Sequence, residues 1–422
     1  MERVTVRQLA DAVRAGDIQG VRAILDARPE LVRMDMSAND EHRALHYAVL
    51  DRSPEMARLL MARGADARKG IYPHRDATSA LSIAVDRGYD EIVSIIETEE
   101  QRRQESAGRR PADSSAGESE DGPLTTAVKH DQPDVLSQLL DSGLDPNEPT
   151  RVDGVEPPEF SAGMPLWHAA ASGKLEMAEM LLRRGADPNA NVYASGSPVF
   201  SAYRVHDEAM IALLQRYGGV ADVITIAMHG RTGIARQMLA GEVDCRTQDG
   251  MFAGATVAEQ LLWGAADGGH PDIVRMALER VDWPRDDARW YRMLWRPLPG
   301  RVARPDFPRY VECLRLMLDR GDPNARGSFG RTLLHDLAAR GAADEQVAFA
   351  TLLIDAGARL DVRDNLLKST PLGWACRWGR VELVRLLLAR GADPVEAGTE
   401  PWATPRAWAE KRRHAGVRAM LP

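Results

Sequence analysis

Cysteine is nearly missing from this 422-residue chain, with Cys245, Cys313 and Cys376 as the whole complement. Three thiols, odd in number and far apart, provide no disulfide framework, so a reducing compartment is the expected setting. Long uncharged apolar runs are missing as well, and the opening Met1-Glu2-Arg3-Val4-Thr5-Val6-Arg7 has no apolar core behind it. Neither a membrane span nor a signal peptide is expected, and the protein is read as cytoplasmic. Positive charge is not in excess either. A net charge of −8 argues against a nucleic-acid backbone binder, with room only for a local basic patch. Phenylalanine is scarce, at six residues, whereas tryptophan reaches nine. That inversion makes the tryptophans the least ordinary side chains present.

What the chain does have is a repeated unit. Met164-Pro165-Leu166-Trp167-His168-Ala169-Ala170-Ala171-Ser172-Gly173 leads into Leu175 to Arg184 and then Gly185-Ala186-Asp187-Pro188-Asn189. A second copy runs from Thr370-Pro371-Leu372 through Leu386-Leu387-Leu388 to Gly391-Ala392-Asp393-Pro394. Thr-Pro opens a helix because the hydroxyl accepts from otherwise unpaired amides and proline is pre-shaped for the first turn. The alanines let two helices approach closely, and Met177, Met180, Leu181 and Leu182 place an apolar face on the second helix. Gly185 suits the left-handed residue that closes a helix, and Asp-Pro-Asn starts a turn leading away. Such a helix pair cannot bury both faces alone, so it must stack on its neighbours.

Further copies start at Ala44-Leu45-His46-Tyr47-Ala48 and at Thr332-Leu333-Leu334-His335-Asp336. Weaker ones start near Ser79, Pro123, Ser197 and Leu261, and degenerate units fill roughly 221–241 and 286–321. This pattern, with a period of about thirty-three residues, resembles the ankyrin repeat family over most of the chain. The resemblance implies an all-α fold: an ankyrin-repeat α-solenoid of stacked helix–turn–helix units with short hairpin loops and capping helix pairs. Val6–Arg14 with Ile18–Ala27 is expected to cap one end. Thr404 to His414 is expected to cap the other, with Arg406 where a core leucine would sit. On this reading the chain is complete as it stands.

One composition break interrupts the pattern between about Glu97 and Asp121, where apolar residues are too few to form a packed face. The expected division is 1–96 as N-terminal cap and first units, 97–121 as a flexible linker or loop, and 122–422 as the main stack. The break is either a bulge from one continuous stack or a separator between two stacks. The bulge is favoured, because a detached block of two to three units would leave an apolar face uncapped. Pro146 to Gly163 and Pro297 to Pro308 are expected to be extended hairpins or loops.

No constellation of catalytic residues emerges. His42 and His46 have the four-residue spacing of a zinc helix, but Arg43 stands where a zinc protease needs glutamate. His46 and His335 fall in the histidine slot of the repeat, where the ring bonds backbone of the adjoining turn. Ser172-Gly173-Lys174 lacks the upstream glycine and the downstream hydroxyl of a phosphate-binding loop. Catalytic residues, metal and cofactor are each read as none. Trp167 and Trp263 take the histidine slot, where filling the space between units is the commoner role.

The family pattern places the ends of the first helices on a concave face. Asp86, Lys129, His130, Arg204, Asp267, Arg377 and Trp378 are the resulting candidates, with His42, Tyr193 and Phe329 on the hairpin edge. The expected function is a scaffold that binds a protein partner without catalysis, as a monomer and without nucleic acid or membrane. The alternative is a small-molecule or carbohydrate site in the groove, with or without enzymatic activity, built from its His, Asp, Arg and Trp side chains.

Overall fold

A computed structural model describes residues 4–37, 40–72, 75–107, 121–152, 159–193, 195–243, 246–248, 252–300, 306–340 and 343–422. Cys245 and the 108–120 part of the connecting segment lie outside the described residues.

The Thr370 unit shows how local sequence builds each helix pair. Thr370 Oγ1 accepts from the Gly373 amide at 3.3 Å, with Pro371 at the first helical position. The Pro371–Arg377 helix ends at Trp378, and Gly379 takes the left-handed conformation (φ +66°) that turns the chain back. The Val381–Ala389 helix follows and buries Leu383, Val384 and Leu387. Asp393 then closes the turn by accepting from the Val395 amide at 2.9 Å. Ser197 and Thr404 cap their helices in the same way, each accepting at 3.1 Å from the amide three residues on.

Stacking is carried by buried leucine, isoleucine, methionine and alanine, and by a repeated set of polar bridges. Asn189 spans to the next unit, donating to the Gly218 carbonyl at 2.9 Å and accepting from the Val220 amide at 2.8 Å. Asn324 makes the equivalent pair with Gly357 and Arg359 at 3.0 and 2.8 Å. His46 and His335 behave as expected. Nδ1 of each accepts a backbone amide at 3.0 Å, from Arg43 and Thr332, and Nε2 reaches the carbonyls of Lys69 and Ser369 at 3.0 and 3.1 Å. Because Nδ1 accepts, the proton sits on Nε2 and is donated to the neighbouring hairpin. Trp167 reproduces that second bond. Its Nε1 donates to the Ser195 carbonyl at 3.1 Å, so a tryptophan can occupy the histidine slot without breaking the bridge.

Most described residues are helical, and the one sheet among them is a hairpin, Thr150–Val152 paired antiparallel with Glu159–Ser161. It forms within the Pro146 to Gly163 insert, in keeping with the extended hairpin expected there. The second helix of the third unit runs from Asp90 to Ala107, so the first part of the expected linker is helical.

The N-terminal block does not simply lead into the rest of the stack. Its inner helices, Val6–Arg14, Ala44–Leu50 and Ala80–Arg87, pack in sequence on one another. The outward side of Ala80–Arg87 then meets the 401–403 turn, and its C-terminal end meets Lys411 and Arg412. Pro123–Lys129 starts a second series that packs on Met164–Ala171, and this in turn packs on Pro198–Arg204. The first units thus return onto the last ones, and what would be an uncapped face is covered from within the chain.

Candidate functional site

Two regions bring the candidate residues together: the seam where the N-terminal block meets the C-terminal units, and the inner helix ends of the middle units. At the seam, two expectations about exposure are corrected. Asp86 is fully buried and Arg377 only 5% exposed, because they face each other at 2.6 Å across the join. Arg412 reaches the other Asp86 oxygen, also at 2.6 Å. Lys411 Nζ donates to the carbonyls of Val85 and Asp86 at 2.8 and 2.9 Å, placing a cation where the Ala80–Arg87 helix exposes its negative end. Arg87 extends the join from the opposite side, with Nη2 donating to the Leu366 and Asn365 carbonyls at 2.6 and 2.9 Å. Trp378 is half-buried, stacked on Trp374 with ring centroids 5.0 Å apart and covered by the Arg377 guanidinium at 4.4 Å. These groups serve an intramolecular contact.

His42 and Phe329 belong to the same seam, farther along it. Their rings approach to 5.1 Å, and His42 also stacks on Tyr47 and pairs with Asp40. Between the two blocks lies a cavity of about 770 Å³. One wall comes from Asp40, Glu41 and His42 and from Ile71, Tyr72, Arg75 and Thr78. The other comes from residues of the Arg289–Trp295 helix and its ends, chiefly Tyr291, Arg292, Trp295 and Arg296, and from the turn carrying Arg326, Phe329 and Arg331. Tyr291 donates to Asp336 at 2.5 Å on the far wall, and burial with that carboxylate beside it pushes the phenol well above its ordinary value. Arg296 is packed between Trp263 and Trp295, at 4.0 and 4.9 Å from their ring centroids. Burial brings its guanidinium down to about 10, helped by Arg292 and Arg340 nearby and opposed by Asp267, whose carboxylate stands 3.9 Å away. Asp267 therefore acts as a neighbour of Arg296.

The remaining candidates lie on the middle units. Lys129 and His130 are exposed at the end of the Pro123–Lys129 helix, and Lys129 pairs with Asp121 at 2.6 Å. Arg204 is exposed and lies over the half-buried Trp167 ring at 5.1 Å. Tyr193 is half-buried in the preceding hairpin, its amide donating to Ser161 at 3.1 Å. One unit on, His229 sits among Phe200, Tyr203 and His206, with ring centroids 5.5, 6.3 and 6.1 Å away. Burial, reinforced by His206 and His270, brings His229 down to about 4, so it is neutral at physiological pH.

A family model for ankyrin repeats in three copies matches residues 304–397, and a single-repeat model matches 163–191. The Notch-regulated ankyrin repeat-containing proteins of Homo sapiens and Mus musculus are each 33% identical to this chain over 98 residues. That stretch is 22% of this chain and 81% of each relative. The chain belongs to the ankyrin-repeat family. Its ankyrin units use His46, His335 and Trp167 as bridges between units. Among the described residues there is no group of three or more His, Cys, Asp or Glu that could hold a metal. Cys313 and Cys376 are buried, and burial raises the Cys376 thiol, which makes it a poor nucleophile. No described helix is long and apolar enough to cross a membrane.

Of the residues that line the cavity, sequence reasoning missed Tyr72, Arg292, Trp295 and Arg296. Arg292, Trp295 and Arg296 lie in the degenerate 286–321 unit, where no repeat position could be assigned. A signal was present all the same: Trp290-Tyr291-Arg292-Met293-Leu294-Trp295-Arg296 is the densest aromatic and arginine run in the chain.

Proposed function

We propose that this ankyrin-repeat protein is a non-catalytic scaffold that binds a protein partner through the inner helix ends and hairpins of its middle units. The observation that carries the reading is the exposed Arg204 resting on the Trp167 ring, with no carboxylate at ion-pair distance among the described residues. Arginine and tryptophan are the residue types that dominate binding energy at interfaces, and packing within the unit does not require an arginine there. Lys129 and His130 end the inner helix that packs on that of Trp167, and Phe200 and His206 share the unit of Arg204, with His229 one unit on. The C-terminal inner face is a weaker choice, since the chain's own N-terminal block covers Arg377 and its surroundings, with Asp86 facing it across the join. The complement of only three cysteines, with Cys376 a buried thiol, supports a reducing, cytoplasmic setting for the binder.

The test is capture of partners by the intact chain and by Arg204→Glu, with thermal melting as the folding control. Loss of the same captured protein from the variant, at unchanged melting temperature, supports the assignment. Equal capture by both proteins refutes it. The groove alternative finds its specific observation in the cavity at the seam, where arginines and aromatic rings converge in place of the Lys129, His130 and Arg204 group.

A further inference from the structure

We propose that the seam cavity binds a small molecule joining a phosphate group to a planar aromatic ring, the nucleotide class, and that this ligand holds the N-terminal block closed on the C-terminal units. Size is the first support. About 770 Å³ falls within the range of small-molecule sites, roughly 300–1,000 Å³.

Charge is the second. Arg75, Arg292, Arg296, Arg326 and Arg331 line the cavity with two carboxylates, Asp40 and Glu41, while Asp267 and Asp336 stand by Arg296 and Arg331 at 3.9 and 3.4 Å. In a chain of net charge −8, a cavity with that surplus of guanidinium is a local reversal of sign. The two carboxylates are moreover engaged, Glu41 with Arg75 at 2.5 Å and Asp40 with His42. Planar guanidinium groups match phosphate oxygens in pairs, and they gain most in a partly desolvated site. Arg296 is such a group, held among tryptophans in surroundings that lower its proton affinity, and an anion beside it would relieve that cost.

The third support is the aromatic lining. Tyr72 is 60% exposed at the cavity wall, an unusual placement for a large ring, and Arg75 lies over it at 5.9 Å. Tyr291, Trp295 and Phe329 supply further rings on the opposite wall. A flat aromatic group can stack on such surfaces whatever its hydrogen-bonding edge. Phe329 also holds a left-handed backbone conformation, φ +60° and ψ +20°, which costs energy in a bulky residue. Its carbonyl accepts from the Asn365 amide at 2.7 Å, and its ring is thereby set against His42 of the other block.

Because each block supplies one wall, the complete site exists only when the blocks are docked. A ligand bound there favours the docked arrangement in proportion to its affinity.

The experiment titrates the intact chain with AMP, ADP, adenosine and inorganic phosphate, read by calorimetry and by tryptophan fluorescence. Arg292→Ala and Arg326→Ala are the test variants, since both side chains are exposed and their loss spares the core. Saturable binding of AMP or ADP is expected, weakened about tenfold or more in each variant at unchanged helical content. Adenosine and phosphate alone should bind far more weakly than AMP. The undocking variant Asp86→Asn should lose nucleotide affinity although Asp86 lies outside the cavity. No nucleotide binding up to about millimolar concentration overturns the proposal, as does binding indifferent to both arginine variants. Phosphate binding as tightly as AMP overturns the aromatic half, and adenosine binding as tightly as AMP overturns the anionic half.

Discussion

Asp86 and Arg377, 291 residues apart in sequence, form a fully enclosed ion pair at 2.6 Å that locks the first repeats onto the last. Arg412 shares the aspartate, so one carboxylate serves two guanidinium groups. A buried pair contributes little net stability against an apolar replacement, but removing one partner leaves a charge stranded.

Asp86→Asn should therefore open the seam. The loss is expected to be about 3–5 kcal/mol at the join, since Arg377 is left with no compensating charge of equal strength. Small-angle scattering should show an expanded molecule with unchanged helical content by circular dichroism. A double variant with Arg377→Met should recover part of the loss. Scattering and melting identical to the parent would contradict the locking role of the pair.

Leu182→Ala and Leu387→Ala should each lower stability by about 2–5 kcal/mol, because both side chains are buried between units and leave a cavity. Val395, 57% exposed in a turn, is the control, and Val395→Ala should be close to neutral. Chemical denaturation of the three variants checks the order. Similar midpoints for all three would mean the inter-unit faces are misassigned.

His46 and His335 make stability depend on pH. Burial depresses both, His46 to about 4, from an ordinary value of 6.5. In the window from 6.5 down towards 4 the unfolded chain therefore binds the extra protons, and stability falls as pH falls. For His46 the loss amounts to about 3 kcal/mol once pH is below both values. His46→Asn should be less stable than the parent at pH 7 but should show a flatter decline through this window. An equally steep decline in the variant, followed by urea denaturation at several pH values, would exclude His46 as a source.

Trp167→Phe tests the tryptophan that stands in the histidine slot. The phenyl ring retains most of the packing but cannot donate to the Ser195 carbonyl. A loss of about 1 kcal/mol is expected, as for a single hydrogen bond, visible as a lowered denaturation midpoint. No change would show that the bond contributes nothing beyond the ring's contacts.

The parts legible in the sequence were those fixed by near neighbours. Thr370, Ser197 and Thr404 could be read as caps because each bonds an amide three residues away. His46 and His335 could be read as structural because their partners lie in the next hairpin, one unit along. The candidate surface was less legible. Arg204, Lys129 and His130 are exposed as the repeat position implies, whereas Asp86 and Arg377 occupy equivalent positions and are buried. Position within a unit specifies how a side chain leaves its helix, and carries no information on what covers it from a distant unit.

The sequence by itself thus determined the helix pairs, their order and the bridges between successive units, since each depends on residues within about one repeat of each other. Only the tertiary structure decided that Asp86 meets Arg377, that His42 meets Phe329, and that a cavity rich in arginine opens between them. Those contacts depend on the small rotations of every intervening unit added together, and on how the two blocks are joined. No periodic pattern records that sum.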